Sequence, residues 1–130
     1  MAEYVLRQQL HAKGLGEAKV ISAGTHAFEG ARSTLETLEV LKEEGVNAET
    51  HQSRRVTLEM MEAADAVFAM TETHREWLVK TWPRHREKVR LFAKEDVPDP
   101  IGQSVEIYRE CLGTVKYAVV RIIKEYFDGK

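Results

Sequence analysis

Asp99 stands between two prolines in the stretch "VPDPIG" (97–102). Each proline fixes its own φ and carries no N–H, and Pro100 also restricts the residue before it, so the carboxylate sits on a stiffened loop. A carboxyl presented in this way suits a general acid, which must come within hydrogen-bond distance of a leaving-group oxygen. The competing reading is an Asp-Pro turn ahead of the last helix, and on this motif alone the turn is the simpler one. Asp96 and Glu95 are nearby carboxylates in less constrained settings.

Other side chains offer less. The histidines are His11, His26, His51, His74 and His85, and none lies three to five residues from another. The lone cysteine, Cys111, sits on an apolar helical stripe, so a closed zinc site has no support. On that stripe Cys111 has neither a helix N-terminus nor a neighbouring cation to lower its pKa, and it reads as a packed thiol rather than a nucleophile. His51, in "THQSRR", follows a strand-like segment and is a candidate imidazole, against the plainer reading of a structural hydrogen bond. Arg54 and Arg55 could hold phosphate or could simply be solvated. Trp77 and Trp82 read as packing rather than a stacking platform. No phosphate-binding glycine loop or dinucleotide fingerprint is present.

Alternating elements would position these groups. "MAEYVLRQQL" places Ala2, Val5, Leu6 and Leu10 near helical spacing, with Gly14 as a stop. "AKVISAG" (18–24) is a β-prone run. "ARSTLETLEVLKEEG" (31–45) reads as a helix with Ala31, Leu35, Leu38 and Leu41 on one face and Gly45 at its end. "TLEMMEAAD" (57–65) reads as a short helix capped by Thr57. The apolar pentamer "AVFAM" (66–70) predicts a strand buried on both faces. Thr73 and Glu76 are spaced as a capping box, so a helix is expected from about His74 to the stop at Pro83. "KVRLF" (88–92) predicts another strand. A long helix follows over roughly 103–127, with Tyr108, Cys111, Leu112, Val115, Val119, Ile122 and Tyr126 as its apolar stripe. This alternation predicts an α/β fold, a parallel sheet with helices on both faces. Chemistry is then expected at the carboxyl ends of strands, in "SAGTHAFEG", "MTETH" and "AKEDVPDPIG".

Composition agrees with one globular domain over residues 1–130. Apolar residues make up 43% and charged residues 31%, and the formal net charge is -2. That charge gives no reason to expect nucleic acid or an anionic membrane as partner, and no apolar run approaches a membrane span. A single cysteine cannot close an internal disulfide, so a reducing cytoplasm is expected.

Taken in order, "MAEYVLRQQL", "VISAGTHAFEG", "LKEEGV", "THQSRRVT", "ADAVFAMTETH", "VPDPIG" and "IYRECLGTVKYAVVRIIKE" resemble the low-molecular-weight protein tyrosine phosphatase family, almost end to end. The resemblance implies a three-layer fold, hydrolysis of a phosphorylated protein or small phosphomonoester through a phosphocysteine, and no cofactor or metal. Family members begin with a buried strand that runs into a cysteine, five residues, an arginine and Ser-Pro, and then a helix that often starts Met-Ala-Glu. By resemblance Asp99 is the acid that protonates the leaving oxygen, while Ser22 and His51 match positions that brace an asparagine of the nucleophile loop. Eukaryotic members carry aromatics after the Asp-Pro; here Ile101 and Gly102 follow, which weakens any preference for aryl substrates. The resolving cysteines of thioredoxin-linked arsenate reductases have no match.

The expectation is that this chain starts at the family's Met-Ala-Glu, so that the central first strand and the nucleophile loop are missing. The acid and the braces would remain without a nucleophile, and the chain as it stands would be inactive. Losing about four buried aliphatic side chains forfeits roughly 6–12 kcal/mol, comparable to a domain's entire stability. Exposed strand edges would then favour self-association. Three readings compete: an internal methionine of a full-length phosphatase, a shortened non-catalytic binding module that keeps the phosphatase shell, and an unrelated small α/β domain.

Overall fold

The computed structural model describes residues 1–26 and 29–127, so Ala27 and Phe28 of the "SAGTHAFEG" stretch lie outside the described residues. Helix α1 (Ala2–Ala12) is followed by α2 (Leu35–Glu43), α3 (Leu58–Ala63), strand β1 (Val67–Ala69) and α4 (Glu72–Thr81). A 3-10 turn (Pro83–Lys88), strand β2 (Val89–Leu91) and α5 (Val105–Tyr126) complete the order. The strands pair in parallel, with Val67 opposite Val89 and Ala69 opposite Leu91.

Alternation along β1 assigns the two faces. Val67 and Ala69 pack with Met61 of α3 and Leu78 of α4. Phe68 points to the opposite face, into the larger core that α1, α2 and α5 build around Val5, Leu10, Leu41, Val115 and Val119. Helices therefore cover both faces, as the apolar pentamer predicts. The α5 stripe is also as expected, with Tyr108, Leu112, Val115, Val119 and Ile122 buried.

The run 18–24 is a correction. It forms no strand, although burial alternates along it: Val20 and Ser22 are half-buried, while Ile21 is 54% exposed. A strand exists only through its neighbours. Among the described residues this segment's backbone has a turn bond from Ala18 N–H to Leu15 O, one side-chain bond, from Arg7 Nη2 to Val20 O at 2.8 Å, and one isolated parallel bridge between Gly24 and Arg55. β1 has a matching open edge. In its register the Phe68 peptide groups point away from β2, and none of the described residues pairs with them.

Helix boundaries shift for local reasons. Thr34 caps α2 by accepting from Thr37 N–H, which leaves Ala31 outside the helix and Leu35 80% exposed. Gly45, at φ +75°, closes that helix as predicted. Thr57 caps α3 as predicted. For α4 the cap is Thr71, which accepts from His74 N–H, and not Thr73. The helix begins as soon as β1 ends because Asp96 Oδ1 also takes Glu72 N–H at 2.9 Å, a partner from a distant loop that local spacing does not reveal.

Candidate phosphatase site

The loop 93–103 leaves β2 anchored by buried Val97, whose N–H donates to Met70 O. Beyond that anchor Asp99 is exposed, and its Oδ1 accepts Ile101 N–H at 3.0 Å. Gln103 N–H donates to Pro100 O, and Gly102 at φ +82° completes the reversal. Of the two readings of Asp-Pro, a turn and a general acid, the turn is what this geometry contains, with the Asp99 carboxylate exposed on it. A groove of about 860 Å³ runs between this loop and α5, lined by Asp99, Ile107, Cys111, Tyr117 and Arg121 among others.

Cys111 is half-buried on the edge of the α5 stripe. Burial pushes its thiol pKa up, Asp99 adds to the rise, and the Met1 nitrogen opposes it. A thiol shifted in that direction is a poor nucleophile at neutral pH. The Met1 nitrogen lies within electrostatic reach of Glu3, Cys111 and Asp99, so the first turn of α1 and the Asp99 loop share one edge of the molecule.

Ser22 and His51 converge on a residue that sequence reasoning missed, Glu3. Ser22 Oγ donates to Glu3 Oε1 at 2.6 Å, and Arg7 Nη2 donates to Glu3 Oε2 at 2.5 Å. Burial alone raises the Glu3 pKa, but the hydrogen bonds from Ser22 and Arg7, with the charges of Arg7 and His51, hold it below the usual carboxylate range. His51 sits edge-on to Tyr4 with ring centroids 5.4 Å apart. Burial lowers its pKa, and Arg54, Arg7 and the Met1 nitrogen add to that against the pull of Glu3. The available signal was Glu3 at helical spacing beside the apolar Ala2, Val5 and Leu6, an acidic residue on the side of α1 that faces the core.

Of the remaining candidates, Arg54 stays within electrostatic reach of His51. Trp77 and Trp82 pack edge to face at 5.7 Å in the smaller core. Arg54 O and Arg55 N–H serve backbone links, to Gly24 N–H and Glu29 Oε1. Among the described residues no three His, Cys, Asp or Glu side chains gather as a metal-ligand group, and no helix is long and apolar enough to cross a membrane.

Residues 1–127 match the family model described as low molecular weight phosphotyrosine protein phosphatase. The protein-arginine-phosphatase of Bacillus subtilis (strain 168) is 31% identical, over 96% of this chain and 86% of its own length. The low molecular weight protein-tyrosine-phosphatase Etp of Escherichia coli (strain K12) is 29% identical, over 85% of this chain and 78% of its own length. The crystal structure of the low molecular weight protein tyrosine phosphatase from T. tengcongensis superposes with a TM-score of 0.90 at 28% identity, covering 95% of this chain and 88% of that one. With the fold and a match that runs nearly the whole length in agreement, the chain belongs to the low molecular weight phosphotyrosine protein phosphatase family.

Proposed function

We propose that residues 1–130 carry the general acid and the bracing groups of a phosphatase whose nucleophile comes from a preceding strand and Cys-x5-Arg loop. One observation carries this reading. Asp99 is an exposed carboxylate fixed by two prolines and by Ile101 N–H, at the edge where α1 begins. Within residues 1–130 the single thiol is Cys111, and burial raises its pKa.

In the completed site the cysteine thiolate attacks phosphorus, forming the S–P bond as the bond to the leaving group breaks. Loop amides and the arginine hold the phosphoryl oxygens. Asp99 gives its proton to the leaving atom. It then takes a proton from the water that cleaves the phosphocysteine, releasing phosphate and regenerating the thiolate. Ser22 and His51 brace the loop, and no step uses a metal. The 130-residue chain alone does not turn over.

The substrate class is a phosphorylated protein side chain or a small phosphomonoester. The names of the relatives support both phosphoarginine and phosphotyrosine. Aliphatic Ile101, exposed directly after Asp99-Pro100, supplies no ring to stack on an aryl group. The single cysteine favours a reducing compartment, and the open edges of 19–23 and β1 favour self-association.

The test is an assay of three chains with chelator present: residues 1–130, the same chain extended by a family-type strand and loop, and that extended chain with Asp99→Asn. Phosphoarginine and a small aryl phosphate are offered to each. The short chain should match buffer and the extended chain should turn over. Asp99→Asn should slow poor leaving groups by about 10²–10⁴. Turnover by residues 1–130 that survives Cys111→Ser would overturn the reading, and an inactive but folded extended chain would favour the binding module.

A further inference from the structure

The outer face of α5 carries a pattern as regular as its buried one. Glu106, Glu110, Gly113, Tyr117, Val120 and Lys124 follow one another in alternating steps of 4 and 3 residues, and all are exposed. That is the repeat of a seam between two helices, and it runs opposite the stripe that packs into the core. Tyr117 is 79% exposed and Val120 60%. Single apolar side chains on a surface need no explanation, but this ring stands one turn from Gly113 in the middle of a 22-residue helix. Glycine weakens a helix interior, and Gly113 serves no packing within the chain. A Cβ added there would meet nothing within 4 Å among the described residues. The bare backbone is a seat for a group from outside.

Charge decides what fills it. The stripe is acidic where it starts, at Glu106 and Glu110, and basic where it ends, at Lys124. Glu106 uses Oε1 for Arg109 on its own helix, an exposed pair of little strength. A second α5 laid antiparallel, with the two-fold axis level with Val115, sets Tyr117 of each copy over Gly113 of the other. The same register sets Glu106 against Lys124, once at each end. A parallel copy in register would oppose like charges instead.

We propose that this face of α5 binds a second copy of the chain as an antiparallel, two-fold symmetric dimer. Such a contact closes on itself, unlike the open-ended pairing that the edges of 19–23 and β1 favour. Glu110, Gly113 and Tyr117 also line the groove beside Asp99, so the second copy supplies part of that groove's outer wall.

Charge reversal on separate chains tests the pairing. Residues 1–130, the Glu106→Lys chain and the Lys124→Glu chain are followed by sedimentation equilibrium, each also carrying Ile21→Lys to suppress edge pairing. In either variant alone both end pairs become like-charged, and the dimer dissociation constant should rise about tenfold or more. In an equimolar mixture of the two variants every end pair is again opposite in sign, and affinity should return to near that of the parent. Gly113→Gln fills the seat with a better helix former, so it should raise the thermal midpoint and still weaken the dimer about tenfold. Residual association through strand edges is blind to all three changes, and equal behaviour of every sample overturns the proposal. A mixture no tighter than its separate components overturns it as well. So does a parent chain that stays monomeric, which would leave the stripe to a different protein.

Discussion

The rings of Phe68 and Tyr126 meet edge-on, with centroids 5.3 Å apart and planes at 90°. This contact joins the middle residue of β1 to the last residue of α5, and Arg90 of β2 lies over the same Tyr126 ring at 5.8 Å. The end of the longest helix is thus fastened to both strands of the sheet.

Phe68→Ala should therefore destabilise the fold by about 2–4 kcal/mol, at or a little below the range for a fully buried aromatic because Phe68 is half-buried. Phe68→Leu should cost less. Calorimetric or urea unfolding measures both, and a Phe68→Leu variant as stable as the parent would show that the aromatic edge contact contributes nothing beyond volume.

Stability should fall on acidification. The Glu3 pKa is depressed by its hydrogen bonds against the opposing effect of burial, so its contribution is present above the ordinary glutamate range and is lost as pH drops through the folded value. The His51 pKa is also lowered, chiefly by burial, so protonating that ring works against the fold below the ordinary histidine range. Both signs agree. Urea midpoints taken between about pH 7 and about pH 4 should decline steadily, and Glu3→Gln should flatten the lower part of the curve.

Thr71→Ala should cost about 1 kcal/mol through loss of the α4 cap, whereas Thr73→Ala, inside the first turn, should cost a few tenths at most. Thermal midpoints of the two variants decide between the cap that the structure contains and the one that sequence spacing suggests.

Residues 1–130 should associate as concentration rises. Ile21 is 54% exposed on an extended segment without a ladder, and β1 has an open edge. Sedimentation velocity should show growing oligomers, and Ile21→Lys should reduce them, since a charge on an edge opposes pairing. A monodisperse monomer across the concentration range would remove the edges as an association site.

Much of this protein is written in local pattern. The apolar pentamer at 66–70, the cap at Thr57, the stop at Gly45 and the long stripe from Tyr108 to Ile122 each follow from neighbours within a few residues. The sequence read them correctly because helix periodicity, capping and strand burial are short-range physics. The stiff turn that carries Asp99 was legible for the same reason, since two prolines constrain it whatever surrounds them. Tertiary structure alone decided three things. It withheld strand status from 18–24, whose β-prone residues find no continuous ladder among the described residues, only an isolated bridge at Gly24. It moved the α4 cap to Thr71, because Asp96 arrives from a loop about 24 residues away. And it gathered Glu3, Arg7, Ser22 and His51 into one charged cluster, because the first turn of α1 comes to rest against segments some 20 and 50 residues downstream, a distance no periodicity spans.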